Sequence, residues 1–91
     1  MKVNYQGVRE AIARRVEFKG NHCEGVSTQE AYTIYSYATA IYHNYYDKRK
    51  PETFNLEFYS TTTSKLQGII ADVIFAKPLD KLRKDKEKYK I

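Results

Sequence analysis

The spacing of apolar residues predicts one helix near each end of the chain. Over residues 6–16 apolar side chains recur three or four positions apart, with charged residues mostly between them, which predicts a short amphipathic helix. The same spacing is clearer over residues 64–76, and Pro78 ends that second helix. The apolar positions of the two helices are Val8, Ala11, Ile12, Val16, Leu66, Ile69, Ile70, Val73 and Ile74.

The middle of the chain favours strands. Residues 31–46 are β-branched and aromatic almost throughout, which predicts a strand that extends into a second one. Alternation would place Tyr32, Ile34 and Ser36 on one face. The other face would hold Thr33, Tyr35 and Tyr37. The stretch 53–59 alternates cleanly after a charged turn, so it predicts a half-buried strand.

The segment 18–28 carries two glycines, an asparagine and a Ser-Thr pair, which predicts a loop rich in turns. The expected fold is therefore α+β. A small antiparallel sheet of two to three strands would pack against the N-terminal and the C-terminal helix. A basic charged tail would follow.

Length and charge divide the chain into a body and a tail. Ninety-one residues suffice for one domain, which we place at 1–76. Residues 77–91 hold seven of the 16 basic residues and three of the 11 acidic ones, so they predict a basic C-terminal helix or tail. The body is nearly neutral, and the basic character of the chain is concentrated in this appended segment.

The single cysteine, Cys23, excludes an internal disulfide and fits a reducing compartment. The N-terminus has no apolar leader, and no apolar run approaches the length that spans a membrane. We expect a soluble protein of the cytoplasm, without a membrane partner.

Tyrosines crowd the predicted strand region. Six of the nine tyrosines lie within 31–46, where strand packing alone would explain them. The alternative is a recognition face, since tyrosine is enriched at binding hot spots. Rings next to cations also suit the stacking of single-stranded bases. The candidate partner-binding residues are Tyr35, Tyr37, Tyr42, Tyr45, Tyr46, Lys48 and Arg49, and on this hypothesis Tyr42→Ala or Tyr45→Ala would weaken binding while the fold persists.

The hydroxyl-rich stretch "STTTSK" at 60–65 precedes the second helix. Its simplest interpretation is a helix cap. A helix N-terminus with a lysine in its first turn also attracts anions, although the stretch lacks the glycines of a phosphate-binding loop. The candidate anion or phosphate contacts, with three cations of the tail, are Ser60, Thr62, Thr63, Ser64, Lys65, Lys81, Arg83 and Lys84.

The sequence contains few residues arranged as in catalytic or metal-binding sites. His22 and Cys23 are adjacent, but His43 is the only other histidine, which is a poor ligand set for zinc. No Ser/His/Asp arrangement is supported. We expect no metal, no cofactor and no enzymatic activity.

Two motifs resemble a family of small bacteriophage proteins. Ser36, Tyr37, Thr39 and Ile41 match the SYxTxI motif of that family, and residues 59–67 match its YSxTTSK(H)Q motif. With "FKGN" at 18–21, the likeness spans about half the chain, residues 18–67. This sequence departs from the pattern at two positions, with Leu66 in place of His and Ala40 in place of Pro, and the missing histidine weakens any catalytic or metal role there.

The resemblance implies a phage accessory protein. Small phage proteins of this kind often bind a host macromolecule, including inhibitors of CRISPR nucleases. We therefore expect a non-enzymatic inhibitor of a host protein or protein–nucleic-acid complex. The alternative is a small basic nucleic-acid-binding protein that contacts phosphates through its Lys-rich tail and the Ser/Thr/Lys helix start.

Overall fold

A five-stranded antiparallel sheet forms the centre of the molecule, with three α-helices outside it. The computed structural model describes residues 5–20 and 22–85. Each strand pairs with the next one along the chain, so the sheet is a simple meander. The elements in chain order are α1 (Tyr5–Arg14), β1 (Phe18–Lys19), β2 (Cys23–Ser27), β3 (Ala31–Ser36), β4 (Thr39–Tyr45), β5 (Thr53–Phe54), α2 (Thr61–Ile70) with a π-helical turn (Ala71–Phe75), and α3 (Leu79–Lys84).

The expected α+β class is confirmed, but the expected two to three strands are too few. Two of the five strands, β1 and β2, lie inside the segment 18–28 that the sequence predicts as a loop. The β2 strand pairs with β3 over its whole length, from Cys23 opposite Ser36 to Ser27 opposite Tyr32. The backbone hydrogen bonds between β2 and the longer β3 strand therefore determine the extended conformation of β2, although its glycine is typical of a loop.

Residues 31–46 form two strands, as expected, and a two-residue turn at 37–38 joins them. Tyr37 occupies this turn with φ 56°, in the left-handed region that non-glycine residues rarely adopt. The pairing of β3 with β4 shifts by one residue after Ile34, and this bulge leaves Ile41 without an opposite residue. Because of the bulge, the consecutive side chains of Ile41 and Tyr42 are both fully buried.

The predicted strand at 53–59 is confirmed only at its start, since β5 ends at Phe54. The buried side-chain amide of Gln67 on α2 holds the residues that follow β5. Its Nε2 donates to the carbonyl of Asn55 at 2.8 Å and to that of Glu57 at 3.0 Å. The N–H of Asn55 still donates to the carbonyl of Ile41 on β4, at 2.6 Å. Beyond it, side chains of the helices satisfy the carbonyls of this segment.

The two predicted helices are present with shifted ends. The α2 helix begins at Thr61, because Ser60 is its N-cap and accepts a hydrogen bond from the backbone N–H of Thr63 at 3.1 Å. The α1 helix ends at Arg14, where Arg15 takes φ 57°. The N–H of Val16 then donates to the carbonyl of Ala11, which closes a Schellman motif.

One hydrophobic core joins the inner face of the sheet to all three helices. Leu82 of α3 is 1% exposed and belongs to this core, so part of the predicted tail packs on the body of the protein. The last six residues of that tail lie outside the described part of the chain. The core residues are Val8, Ala11, Ile12, Phe18, Tyr32, Ile34, Ile41, Tyr42, Phe54, Leu56, Leu66, Ile70, Ala71 and Leu82.

No helix among residues 5–20 and 22–85 is long and apolar enough to cross a membrane.

Candidate binding face

The outer face of the sheet, opposite the helices, carries a different set of side chains. Strand alternation brings Val26, Thr33, His43 and Thr53 into one row, because β2, β3, β4 and β5 pair at these positions. A second row contains Glu24 and Tyr35, and a third contains Ala31 and Tyr45. We call the six residues Val26, Thr33, Tyr35, His43, Tyr45 and Thr53 the outer face.

None of the six outer-face residues belongs to the hydrophobic core cluster. Their described contacts are with one another and with the β4–β5 loop. Tyr35, His43 and Tyr45 are all partly exposed, whereas Tyr32, Ile34 and Tyr42 on the inner face are almost fully buried. The three rings of this face are therefore accessible in part, whereas Thr33 is buried at 6% exposure and the hydroxyl of Thr53 is also buried.

Aromatic rings form the centre of the outer face. His43 and Tyr45 lie two residues apart on β4, and their rings are nearly parallel, at 15° with centroids 5.7 Å apart. Nδ1 of His43 is 3.0 Å from the hydroxyl of Thr33 on the neighbouring strand, which fixes the orientation of the imidazole. Partial burial lowers the pKa of His43, so the ring is neutral at physiological pH.

A basic loop lies beside these rings. The Nζ of Lys50 is 5.5 Å from the centroid of the Tyr45 ring, within the range of a cation–π interaction. Lys48 and Arg49 precede it and are exposed. Asp47 pairs with Arg49, whose hydrogen bonds lower the pKa of that carboxyl group. Lys48 and Lys50 therefore retain a net positive charge at this edge of the face.

The structure brings together only part of the predicted partner-binding set. Tyr35 and Tyr45 lie on the outer face, and Tyr45 is next to the loop that carries Lys48 and Arg49. Tyr37 is exposed in the β3–β4 turn, two residues after Tyr35, and its ring lies 5.2 Å from that of His22. Tyr46 is half exposed, and its hydroxyl is hydrogen-bonded to that of Ser27.

Tyr42 has to be removed from the predicted set. Its side chain is fully buried, its ring packs edge-on against Phe54 and Phe75, and its hydroxyl donates to Glu52. Truncation of a buried aromatic ring costs about 3–5 kcal/mol, so Tyr42→Ala would disrupt the fold before it informed on binding. The opposite expectation from the sequence was wrong because both faces of strand 31–46 carry tyrosines.

The structure brings part of the predicted anion set together, since Ser60 bonds to Thr63 and Arg83 donates to the hydroxyl of Ser64 at 3.4 Å, but the fold uses several of these groups. Ser60 caps α2, and the buried hydroxyl of Thr63 is 2.8 Å from that of Ser36. Arg83 points inward, where it donates to the carbonyl of Leu56 at 3.1 Å. These three predicted contacts therefore have structural roles. The remaining members, all exposed or partly exposed, are Thr62, Ser64, Lys65, Lys81 and Lys84.

Sequence reasoning missed several members of the outer face. It did not assign His43 or Thr33 to a binding surface, although the two side chains contact each other on that face. Strand parity grouped Thr33 with Tyr35 but did not show that His43 lies beside them. The ring contact of Lys50 depends on the path of the β4–β5 loop and leaves no periodic signal.

The candidate metal ligands and the single thiol all lie within the described residues. No cluster of three or more His, Cys, Asp or Glu side chains that could hold a metal ion occurs in the described residues. Partial burial raises the pKa of the Cys23 thiol, which keeps it protonated near neutral pH and weakens it as a nucleophile.

Comparison of the chain with protein-family models, with curated proteins and with solved structures finds no match.

Proposed function

We propose that this chain is a non-enzymatic binding protein of the host-cell cytoplasm, a phage accessory protein that inhibits a host macromolecule through its outer face. A CRISPR nuclease or another component of antiviral defence is the class of target that the two sequence motifs suggest. The observation that carries the proposal is the set of partly exposed rings on this face, Tyr35, His43 and Tyr45. Such rings offer a large contact area at a low cost in conformational entropy.

The rest of the molecule supports a binding role for this face. The helices, the inner face of the sheet and Arg83 are used to build the core. The outer face has partly exposed rings and an adjacent cation that the core does not use. A sheet held on its other side by three helices presents these groups on a rigid surface, which favours recognition.

The test compares the wild-type chain with a Tyr35→Ser/Tyr45→Ser variant in capture from a bacterial extract, with and without nuclease treatment. A Tyr59→Ser variant is the matched control, because Tyr59 is 49% exposed and lies between β5 and α2, outside the strands of the sheet. We expect the same macromolecule to be retained by the wild type and by the control, and to be lost with the double variant. Equal retention by all three proteins would refute the outer face as the binding surface.

Inhibition is measured separately, by plaque formation on strains in which a defined defence system restricts a phage. Expression of the wild-type chain should restore plaques on a strain whose defence system it inhibits, and expression of the double variant should not. Restoration by both proteins would place the inhibitory surface elsewhere on the chain.

A further inference from the structure

We propose that the outer face binds single-stranded nucleic acid, with bases stacked on Tyr35, His43 and Tyr45 and a phosphate held by Lys50. This inference rests on the proposed function, because it takes the same face as the binding surface and names the chemistry of its partner.

The composition of the face favours contact with nucleic acid, either free or within a protein–nucleic-acid target. Its only branched aliphatic side chain is Val26, and its accessible members include three rings. The centre of a protein interface is usually apolar and desolvated, with anchors that fill pockets. Partly exposed rings at three positions of a sheet also suit bases, because every base has a flat π-face.

The geometry of the rings supplies a preformed stacking platform. His43 and Tyr45 occupy successive outward positions on β4, and their planes differ by only 15°. Their centroids are 5.7 Å apart, so the two rings stack on one another, and a base would extend this stack rather than enter between the rings. The hydrogen bond between Thr33 and His43 holds the imidazole in place, which limits the ordering cost on binding.

The positive charges beside the rings also suit a nucleotide, because its phosphate is an anion. The Lys50 ammonium already lies at the Tyr45 ring, so a base stacked there brings its phosphate close to a cation. Lys48 is exposed in the same loop and extends the positive edge. Glu24, opposite Tyr35 on β2, is the carboxylate nearest in register to the rings, so the phosphates should follow the Lys50 side of the face.

A duplex does not fit this arrangement. Its bases are stacked on one another and show only their edges in the grooves, so ring faces on a sheet have nothing to stack against. The outer face should therefore discriminate between strands and duplexes of the same sequence.

The experiment is a fluorescence-anisotropy titration of the full chain against labelled oligonucleotides of about 12 nucleotides, as single strands and as duplexes. We compare Tyr45→Leu with Tyr59→Leu, an exposed ring outside the strands of the sheet, and Lys50→Gln with Lys77→Gln, an exposed lysine in another region. Tyr45→Leu should weaken single-strand binding by at least about five-fold, and Lys50→Gln should reduce its salt dependence. The two controls should match the wild type.

Three outcomes would overturn the inference. They are the absence of single-strand binding at physiological salt, equal affinity for strands and duplexes, and equal weakening by the variants and their controls. If a protein target is still captured from nuclease-treated extract through the outer face, the proposed function stands and only the nucleic-acid partner fails. If single strands bind but no defence system is inhibited, the proposed inhibition fails and this inference stands.

Discussion

The ring of Phe18 lies in the space that a side chain at Gly25 would occupy. These residues are paired on β1 and β2, and a β-carbon on residue 25 would lie 2.5 Å from Cε1 of Phe18 and 2.7 Å from the hydroxyl oxygen of Tyr32. Both distances are too short for ordinary contacts. The missing side chain therefore lets the short β1 strand bury its aromatic residue against the sheet.

The first prediction follows from this contact. Gly25→Ala should lower the free energy of unfolding by about 1–3 kcal/mol, because Phe18 and the Tyr32 hydroxyl would both have to move. Gly68→Ala is the matched control, since no atom lies within 4 Å of its added β-carbon. It should raise the free energy of unfolding by up to about 1 kcal/mol through helix propensity. Urea denaturation measures both, and a Gly25→Ala variant as stable as the wild type would contradict the packing of Phe18.

The Gly25 contact also explains why the first two strands escape prediction from sequence. A glycine in a short stretch with few apolar residues is typical of a loop. Here the glycine is required by a ring from another strand, and the strand is required by the backbone of β3. Neither the contact of Gly25 with Phe18 nor the pairing of β2 with β3 leaves a pattern within the residues of β2 itself. The helices were predictable because the spacing of their apolar residues repeats over several turns. One residue that departs from the pattern therefore does not hide it.

Only part of the outer face could be predicted, for a similar reason. Strict alternation places Tyr35 and Thr33 together, and the structure agrees. Alternation along β4 would put Ile41 on the same face as His43, but the bulge turns Ile41 into the core. A one-residue irregularity in pairing depends on the fit between two strands. A reader of one sequence therefore cannot tell which tyrosine is buried.

The second prediction concerns Arg83, a cation of the predicted tail that the fold uses internally. Its Nε donates to the carbonyl of Leu56 and its Nη2 to Oε1 of the buried Gln67 at 3.0 Å. Arg83→Ala should lower the free energy of unfolding by about 1–3 kcal/mol, because buried acceptors lose their donor. Lys84→Ala, one residue further on and exposed, should change it by less than about 0.5 kcal/mol.

Chemical denaturation and nucleic-acid binding should both be measured for these two variants. Loss of binding by Arg83→Ala at unchanged stability would show that the guanidinium contacts a partner instead of the core. Equal effects of the two substitutions on stability would contradict the described network around Gln67.

The third prediction uses the end of the π-helical turn. Ala76 has φ 53° and ψ 37°, a left-handed conformation in which glycine is favoured over alanine. Ala76→Gly should raise the free energy of unfolding by about 1 kcal/mol, which corresponds to about 5 °C in Tm. Ala13→Gly, at an exposed position inside α1, should lower it by a similar amount. Thermal unfolding of both variants measures the difference, and destabilisation by both would contradict the left-handed geometry of residue 76.

The last prediction concerns alkaline pH and the hydroxyl of Tyr32. This group donates to the carbonyl of Val16 at 2.9 Å, and its burial, with smaller effects of nearby charges, raises the pKa of Tyr32 to about 12. An unfolded tyrosine has a pKa of about 10. Between these two values the unfolded chain releases a proton that the folded chain keeps. The free energy of unfolding should therefore fall as pH rises through this interval.

Tyr32→Phe tests the assignment to this residue. The substitution leaves the Val16 carbonyl without its donor, so it should lower the free energy of unfolding near neutral pH by about 1 kcal/mol. It should also make the alkaline decline shallower, without abolishing it, because burial and the hydrogen bond to Glu52 raise the pKa of Tyr42 as well. Urea denaturation at a series of pH values above neutral gives both quantities. The same alkaline slope in Tyr32→Phe and in the wild type would mean that Tyr32 ionises equally in the folded and the unfolded chain.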